Sequence, residues 1–123
     1  SIVDIAALKR QNNRYQQQQD ALAALDHCKE SKQLAPVLTV ILDDAMATDD
    51  RKRALKILES LNDPAGIEPL RNHTFKDEHL AQEVNLVVAG ILAGNYLKEC
   101  PYCTELIKIR ATVCKHCQRE LAA

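Results

Sequence analysis

Apolar residues recur every three or four positions along most of the chain, with polar residues between them. Such spacing places the apolar side chains on one face of a helix, and it is clearest near the C-terminal third, at Leu80, Val84, Val87, Val88, Ile91 and Leu92. The pattern predicts five helices, over residues 20–32, 33–45, 48–61, 64–72 and 77–94.

Capping residues mark where three of these helices begin. Asp63 is followed by Pro64, which suits the first helical position, and Asp77 precedes the last apolar stretch. Thr48 or Asp49 is the expected N-cap of the helix that ends near residue 61. The helix boundaries therefore rest on local chemistry as well as on the apolar pattern.

Residues 3–19 predict a further helix with few apolar residues. Its apolar positions fall on a heptad-like stripe that runs into the next helix, and polar Asn12 and Gln19 interrupt it; the apolar members are Ile5, Leu8, Tyr15 and Leu22. A helix of this kind either covers the first of the following helices or pairs with another subunit. We therefore expect that this helix could support a homo-oligomer.

The helical region contains a weak internal repeat with an offset of 33 residues. This offset aligns Ala21 with Ala54, and further identities follow at Leu22/Leu55, Leu25/Leu58, Pro36/Pro69 and Asp44/Asp77. A period in the thirties in helix-rich sequence is typical of stacked helical hairpins. An irregular helical bundle is the alternative.

The stretch around residues 54–70 resembles the HEAT-like repeat, in which a segment of the form AL..L…DP.AI..L joins paired antiparallel helices. The matching residues here are Ala54, Leu55, Leu58, Asp63, Pro64, Ile67 and Leu70. The resemblance extends over about residues 20–93 and lacks the customary arginine early in the second helix. It implies a HEAT-like array packed through Leu22, Leu25, Leu38, Leu55, Leu58, Leu70, Val84, Val88 and Ile91.

Four of the five cysteines form two CxxC pairs near the C-terminus. Cys100 and Cys103 make the first pair, and Cys114 and Cys117 make the second, ten residues later. Two such pairs supply the four thiolates of a tetrahedral zinc site. Apolar and polar residues partly alternate over residues 105–110, which predicts a strand between the two pairs. The cysteine-containing segment is too short to fold by burial of apolar side chains, so a metal must supply its folding free energy. An iron–sulfur cluster takes the same ligands, whereas disulfides or a thioredoxin-like site fit the pattern poorly.

Residues 100–121 resemble the short four-cysteine zinc ribbons found as tails on many bacterial proteins, with the pattern CPxCAExIKxxAxxCxxCGxxL. The resemblance implies one structural Zn²⁺ held by Cys100, Cys103, Cys114 and Cys117, and it implies no activity. Gln118 stands where that pattern has glycine, so the second CxxC turn must form without glycine's freedom at positive φ.

Other polar residues are weaker candidates. His116 lies within the second CxxC turn and should point outward, while His73 and His79 are expected at the surface. Cys28 is expected to be a small buried apolar side chain and not a ligand. The acidic group Asp43, Asp44, Asp49 and Asp50 lacks EF-hand spacing and is better explained by helix capping.

Composition and charge narrow the function classes. The chain has 123 residues, a net charge of −1, 46% hydrophobic residues, 3% aromatics and three glycines, so no glycine-rich phosphate loop is present. The charge is unevenly distributed, with net +2 in residues 98–123 and net −3 before them. Only Tyr96 and Tyr102 could stack on bases, which makes nucleic-acid binding a weaker alternative.

These observations predict a mainly α protein in two parts, a helical HEAT-like domain over residues 1–95 and a zinc ribbon with a small β-hairpin over residues 96–123. The expected function is a non-enzymatic adaptor that binds a protein partner. A nucleic-acid-associated ribbon, or an accessory domain of a larger protein or enzyme, is the alternative. The sequence has no membrane span and starts without Met, so we expect a processed or excised cytoplasmic chain, or one on the cytoplasmic side of a membrane if an anchor precedes Ser1.

Overall fold

Helices make up most of the chain, and a two-stranded hairpin follows them. The computed structural model describes residues 5–121, except for the side chains of residues 5–7, 11 and 28–31. The helices are α1 (Ile5–Ser31), α2 (Ala35–Leu42), α3 (Thr48–Leu61), α4 (Ile67–Asn72) and α5 (Glu78–Gly94), with a short 3₁₀ helix, Pro64–Gly66, before α4. Strands β1 (Leu97–Glu99) and β2 (Leu106–Lys108) pair antiparallel. The predicted mainly α fold with a small C-terminal hairpin is confirmed.

One continuous helix, α1, replaces the two helices that we expected over residues 3–19 and 20–32. The prediction of a break was wrong because no glycine or proline lies between Ile5 and Ser31, so nothing in the backbone ends the helix there. Residues 3 and 4 of that expectation lie outside the described part of the chain. At 27 residues, α1 is about 40 Å long.

The helix starts follow the predicted capping chemistry in two of three cases. The Asp63 carboxylate accepts a hydrogen bond from the Ala65 N–H, and the Asp77 carboxylate accepts from the N–H groups of His79 and Leu80. The predicted cap of α3 was wrong, since its N-cap is Ala47, which has no side-chain acceptor.

The main core lies between the second half of α1 and helices α2, α3 and α5. Fully buried side chains from all four helices and from α4 fill it, among them Leu25, Val37, Ile41, Leu58, Ile67, Leu80 and Ile91. The predicted core residues all belong to it, although Leu22 and Leu38 lie at its margin and are only partly buried. The apolar stripe of α5 is buried as predicted, except at Leu92, which is only partly buried.

One arginine is buried at the edge of this core, and the sequence did not predict it. Arg51, on α3, is only 6% exposed; its Nε donates to the Ile41 carbonyl (2.9 Å) and its Nη2 lies 3.3 Å from an Asp44 oxygen. Its guanidinium also stacks over the Phe75 ring, 5.4 Å from the ring centre. Arg51 therefore joins α2 and α3 to the turn that precedes α5.

His73 completes this polar cluster at the surface, where 25% of its side chain stays exposed. Its Nε2 lies 3.0 Å from the same Asp44 oxygen, and its ring packs edge-on against Phe75. The hydrogen bond from His73 lowers the pKa of the Asp44 carboxyl, and the charge of Arg51 acts in the same direction. Two members of the acidic group, Asp43 and Asp44, are thus engaged in local contacts, since Asp43 accepts from the Ala45 N–H.

The hairpin is attached to the helices at the end of α5. The Asn95 side chain donates to the backbone carbonyl of Asn62 at the end of α3 (3.0 Å), and Leu106 of β2 packs against the main core. Gly94 allows this approach, because a Cβ there would lie 2.6 Å from the Asn62 side-chain oxygen. The division at residues 95/96 into independent domains stays a prediction.

Candidate metal centre

The two CxxC segments form two turns with the same backbone hydrogen bonds. In the first turn the Thr104 N–H donates to the Cys100 carbonyl and the Cys100 N–H donates to the Glu105 carbonyl, both at 2.9 Å. In the second turn the Gln118 N–H donates to the Cys114 carbonyl (2.7 Å) and the Cys114 N–H donates to the Arg119 carbonyl (3.0 Å). We call these turns the first and second knuckles.

Each knuckle is the tip of an antiparallel hairpin. Strands β1 and β2 carry the first knuckle, with Glu99 opposite Leu106. The second knuckle is carried by a single β-bridge between Val113 and Glu120. The strand predicted over residues 105–110 is therefore present in part, as β2.

The four cysteine sulfurs of the two knuckles lie close together. All four lie within 4.8 Å of one another, with Cys100 Sγ 3.7 Å from Cys117 Sγ and Cys103 Sγ 3.6 Å from Cys114 Sγ. Tetrahedral coordination with metal–sulfur bonds of about 2.3 Å gives sulfur–sulfur edges of about 3.8 Å. A disulfide needs about 2.05 Å. The donor set and its spacing therefore fit a metal ion, and the four cysteines could hold one.

A small apolar cluster surrounds these sulfurs and is separate from the main core. Cys100 and Cys114 are almost completely buried, and they pack with Ile107 and Leu121, while Cys103 and Cys117 are half-buried at the edge. Four side chains are too few to fold such a segment by burial alone. A metal ion held by the four sulfurs could supply the folding free energy that this packing lacks.

Backbone N–H groups favour the thiolate form of one cysteine in each knuckle. Hydrogen bonds from the N–H groups of Cys117 and His116 lower the pKa of the Cys114 thiol to about 6, despite its burial. At Cys100, burial raises the pKa, but the N–H groups of Cys103 and Tyr102 outweigh it, so the pKa is lowered. The lowered pKa therefore favours the thiolate form of the first cysteine in each pair.

Cys103 behaves in the opposite way. The Glu105 N–H lowers the pKa of the Cys103 thiol, but burial and the neighbouring cysteine side chains outweigh it and raise this pKa to about 12. Four thiolates this close together repel one another unless a cation lies between them. The site as a whole therefore suits a divalent ion, which displaces thiol protons when it binds.

Both knuckles close through a residue with positive φ. Thr104 has φ = 63° and Gln118 has φ = 62°, which is the left-handed region where a side chain is strained. The sequence pointed to this difficulty at Gln118, and the structure shows that Gln118 adopts the conformation that glycine would supply.

Gln118→Gly is therefore expected to stabilise the second knuckle by about 0.5–1 kcal/mol, because glycine adopts this φ without strain. The measurement is the unfolding midpoint of the metal-loaded protein. Lys115→Gly is the matched control, since Lys115 is exposed in the same turn and its φ is not positive; it should lower the midpoint. A Gln118→Gly midpoint at or below that of the unsubstituted protein would contradict the strain argument.

The other candidate residues do not join the cysteine site. His116 and His79 are exposed, as expected, and the side chain of Cys28 lies outside the described part of the structure. Tyr96 and Tyr102 are both exposed, and Arg119 lies over the Tyr102 ring at 4.9 Å. Among the side chains that the structure describes, the four cysteines are the only cluster of three or more His, Cys, Asp or Glu residues placed to hold a metal ion.

Comparison with known proteins adds no further assignment. No family model, curated protein or solved structure matches the chain. In the described residues, no helix is both long and apolar enough to cross a membrane.

Proposed function

We propose that this protein is a non-enzymatic interaction module whose C-terminal ribbon is folded around one structural Zn²⁺. The proposal rests on the positions of the four cysteine sulfurs. Each knuckle contributes two of them, and all four lie within 4.8 Å of one another. Cys100, Cys103, Cys114 and Cys117 would fill a tetrahedral shell and leave no position for a substrate or a reactive water. A metal held in this way supplies folding free energy and no catalysis.

Metal analysis of the purified protein tests this assignment. We expect one equivalent of zinc per chain, because a closed tetrahedral shell of four thiolates suits Zn²⁺. One equivalent of iron without sulfide, which four thiolates can also hold, would overturn the choice of zinc. Iron with acid-labile sulfide would replace the zinc proposal by a cluster. Free thiolate ligands also favour a reducing compartment, which supports a cytoplasmic location.

The helical part supports the role of an interaction module. Helix α1 packs on α2 and α3, α2 packs on α3, and α3 and α4 pack on α5. This order is compatible with a HEAT-like hairpin array, whose exposed faces are commonly used to bind other chains. We infer that the array presents α1 to a partner.

The first half of α1 is the surface that most needs a partner. Every described side chain from Leu8 to Gln17 is exposed, including Leu8 (45%) and Tyr15 (62%). Fewer than about 15 residues of isolated helix are marginal in water, so such a segment gains stability from a neighbour. A neighbouring helix would supply the missing contacts.

A second copy of this chain fits that surface. Leu8 and Tyr15 lie seven residues apart, and Asn12 lies between them at the remaining seam position of a heptad. In a parallel pair of identical helices, Asn12 meets Asn12 of the other copy, and the two amides can bond each other. Arg10 and Arg14 fall at heptad positions away from the seam, so their like charges stay apart.

The oligomeric state of the full chain tests this pairing. Sedimentation over a range of protein concentrations should show reversible dimer formation, and the double substitution Leu8→Glu with Tyr15→Glu should shift the equilibrium to monomer. Gln17→Glu is the control, since it adds a charge to the same helix away from the seam. A chain that remains monomeric at all concentrations rules out the second copy as the partner.

Nucleic-acid binding is a second candidate, and it rests on one surface of the ribbon. Tyr96 is 74% exposed and lines an open cavity of about 340 Å³ with Lys108, Ile109 and Arg110. An exposed ring beside two cations suits a stacked base and its phosphates. Filter binding of single-stranded DNA and RNA across a salt series decides the matter: affinity that falls steeply with salt supports this candidate, and no binding at low salt removes it.

A further inference from the structure

Arg71 joins the helical part to the first knuckle. It lies in the last turn of α4, and its Nη2 donates to the backbone carbonyl of Thr104 (2.9 Å), the residue directly after Cys103. Its Nη1 lies 3.6 Å from a Glu99 carboxylate oxygen, directly before Cys100. One guanidinium therefore contacts both residues that flank the first pair of cysteines.

Few groups besides these replace the water that the Arg71 guanidinium loses on burial. Only 22% of the Arg71 side chain is exposed, and Nη1 is buried without a hydrogen-bond partner, with the Glu99 and Glu68 carboxylates at 3.6 and 3.4 Å as its ionic neighbours. A half-buried cation is costly unless such neighbours are in place. Two of its three partners belong to the first knuckle and its strand, so the folded knuckle stabilises Arg71 where it lies.

The same contact acts on a strained residue of the knuckle. Thr104 has φ = 63°, and its N–H closes the turn by donating to the Cys100 carbonyl. The hydrogen bond from Arg71 to the Thr104 carbonyl fixes the orientation of the Thr104–Glu105 peptide, and the Glu105 N–H of the same peptide bonds to the Cys103 sulfur. A charge-assisted bond of this kind is about twice as strong as a neutral one.

We propose that Arg71 is a positioning residue for the metal site, which holds the first knuckle in its metal-binding geometry and thereby couples metal binding to the stability of α4. The inference rests on the proposed zinc site. Coupling free energies are reciprocal, so if α4 strengthens metal binding through Arg71, metal binding strengthens α4 by the same amount. The helical part and the ribbon would then respond together to loss of the ion.

Two further contacts that fix the base of the hairpin lie away from the first knuckle. Asn95 bonds to Asn62 at the base of the first hairpin, and Leu106 packs on the main core. These contacts hold the hairpin against the helices, whereas Arg71 contacts the knuckle itself. Substitution of Arg71 should therefore affect metal affinity more than attachment of the hairpin.

The test compares Arg71→Met and Arg71→Lys in the full chain with Arg53→Lys. Arg53 is a matched control because it is also a helical arginine in an ion pair, with Asp26, and it contacts no residue of the ribbon. Zn²⁺ affinity is measured by competition with a chromogenic chelator, and Co²⁺ spectra report the thiolate geometry. Outer-shell substitutions typically weaken metal binding about 10–100-fold, and we expect this loss in Arg71→Met, a smaller one in Arg71→Lys and none in Arg53→Lys.

Hydrogen exchange supplies the second readout. In the unsubstituted protein, removal of zinc by a chelator should increase the exchange of α4 amides, and in Arg71→Met it should change them little. Should Arg71→Met fail to fold, Glu99→Gln keeps Arg71 and removes one carboxylate, and it should weaken zinc binding in the same direction.

Two failures can be told apart. If the unsubstituted chain binds neither Zn²⁺ nor Co²⁺, the proposed function is overturned and the coupling with it. If the unsubstituted chain binds zinc and the folded Arg71 and Glu99 variants bind it equally well, with α4 exchange that responds as before, only the role of Arg71 is overturned.

Discussion

Cys114→Ser is expected to abolish tight zinc binding and to unfold the C-terminal ribbon. Cys114 is completely buried, and its sulfur lies 3.6 Å from that of Cys103, so a serine there removes one of the four thiolates of the proposed shell. Structural zinc contributes on the order of 10–16 kcal/mol to folding at neutral pH, and the four-residue apolar cluster of the ribbon cannot replace it. Zinc content by mass spectrometry and the dispersion of amide resonances from residues 97–121 measure the two effects.

The fifth cysteine provides the control for this experiment. Cys28→Ser should keep one zinc per chain, because Cys28 lies far along the sequence from both CxxC pairs. A chelator added to the unsubstituted protein should reproduce the loss of ribbon resonances seen in Cys114→Ser. A Cys114→Ser protein that stays folded and retains one tightly bound zinc would contradict the four-cysteine shell.

Leu58→Ala is the substitution with the largest expected effect on the helical part. Leu58 has no exposed surface and lies in the main core on α3. Truncation of a fully buried leucine removes apolar contacts and leaves a cavity, which costs about 2–5 kcal/mol. Denaturant unfolding followed by far-UV circular dichroism measures this loss as a shift of the midpoint. A shift near zero would contradict the packing described for α3.

Gly66 permits a sharper version of this test. A Cβ at position 66 would lie 2.9 Å from Leu58 Cδ1, so Gly66→Ala alone should be destabilising by overpacking. In the Leu58→Ala background that methyl group has room, and the second substitution should cost less or restore part of the lost stability. Additive effects of the two substitutions would show that these side chains do not meet.

Most of the helical fold follows from local sequence. The stripe of α5 and the caps at Asp63 and Asp77 could be predicted because each depends on residues within one or two helical turns. The predicted boundary near residue 20 is wrong because apolar residues become frequent where α1 begins to be buried, at Ala21, and not where one helix ends and another begins. The absence of glycine and proline was the better signal.

The candidate site also has a part that could be predicted from local sequence and a part that could not. The spacing of the four cysteines in the sequence was enough to predict that their sulfurs meet. Arg71 could not be predicted as their neighbour, because its partner Thr104 lies 33 residues away and neither residue belongs to a motif that would pair them. Arg51 could not be predicted for a similar reason, since an arginine in the first turn of α3 looks like an exposed charge until Asp44, Phe75 and the Ile41 carbonyl surround it.

The unequal support of the two knuckles has a consequence for the path by which an ion would leave. The first knuckle is held by a three-residue strand pair and by Arg71, whereas the second depends on the single bridge between Val113 and Glu120. Thermal opening should therefore begin at the second knuckle and release two sulfurs together while Cys100 and Cys103 stay in place. A competing chelator would then take the metal from an intermediate in which only Cys100 and Cys103 still bind it. The rate of metal exchange would be set by the opening of the second knuckle.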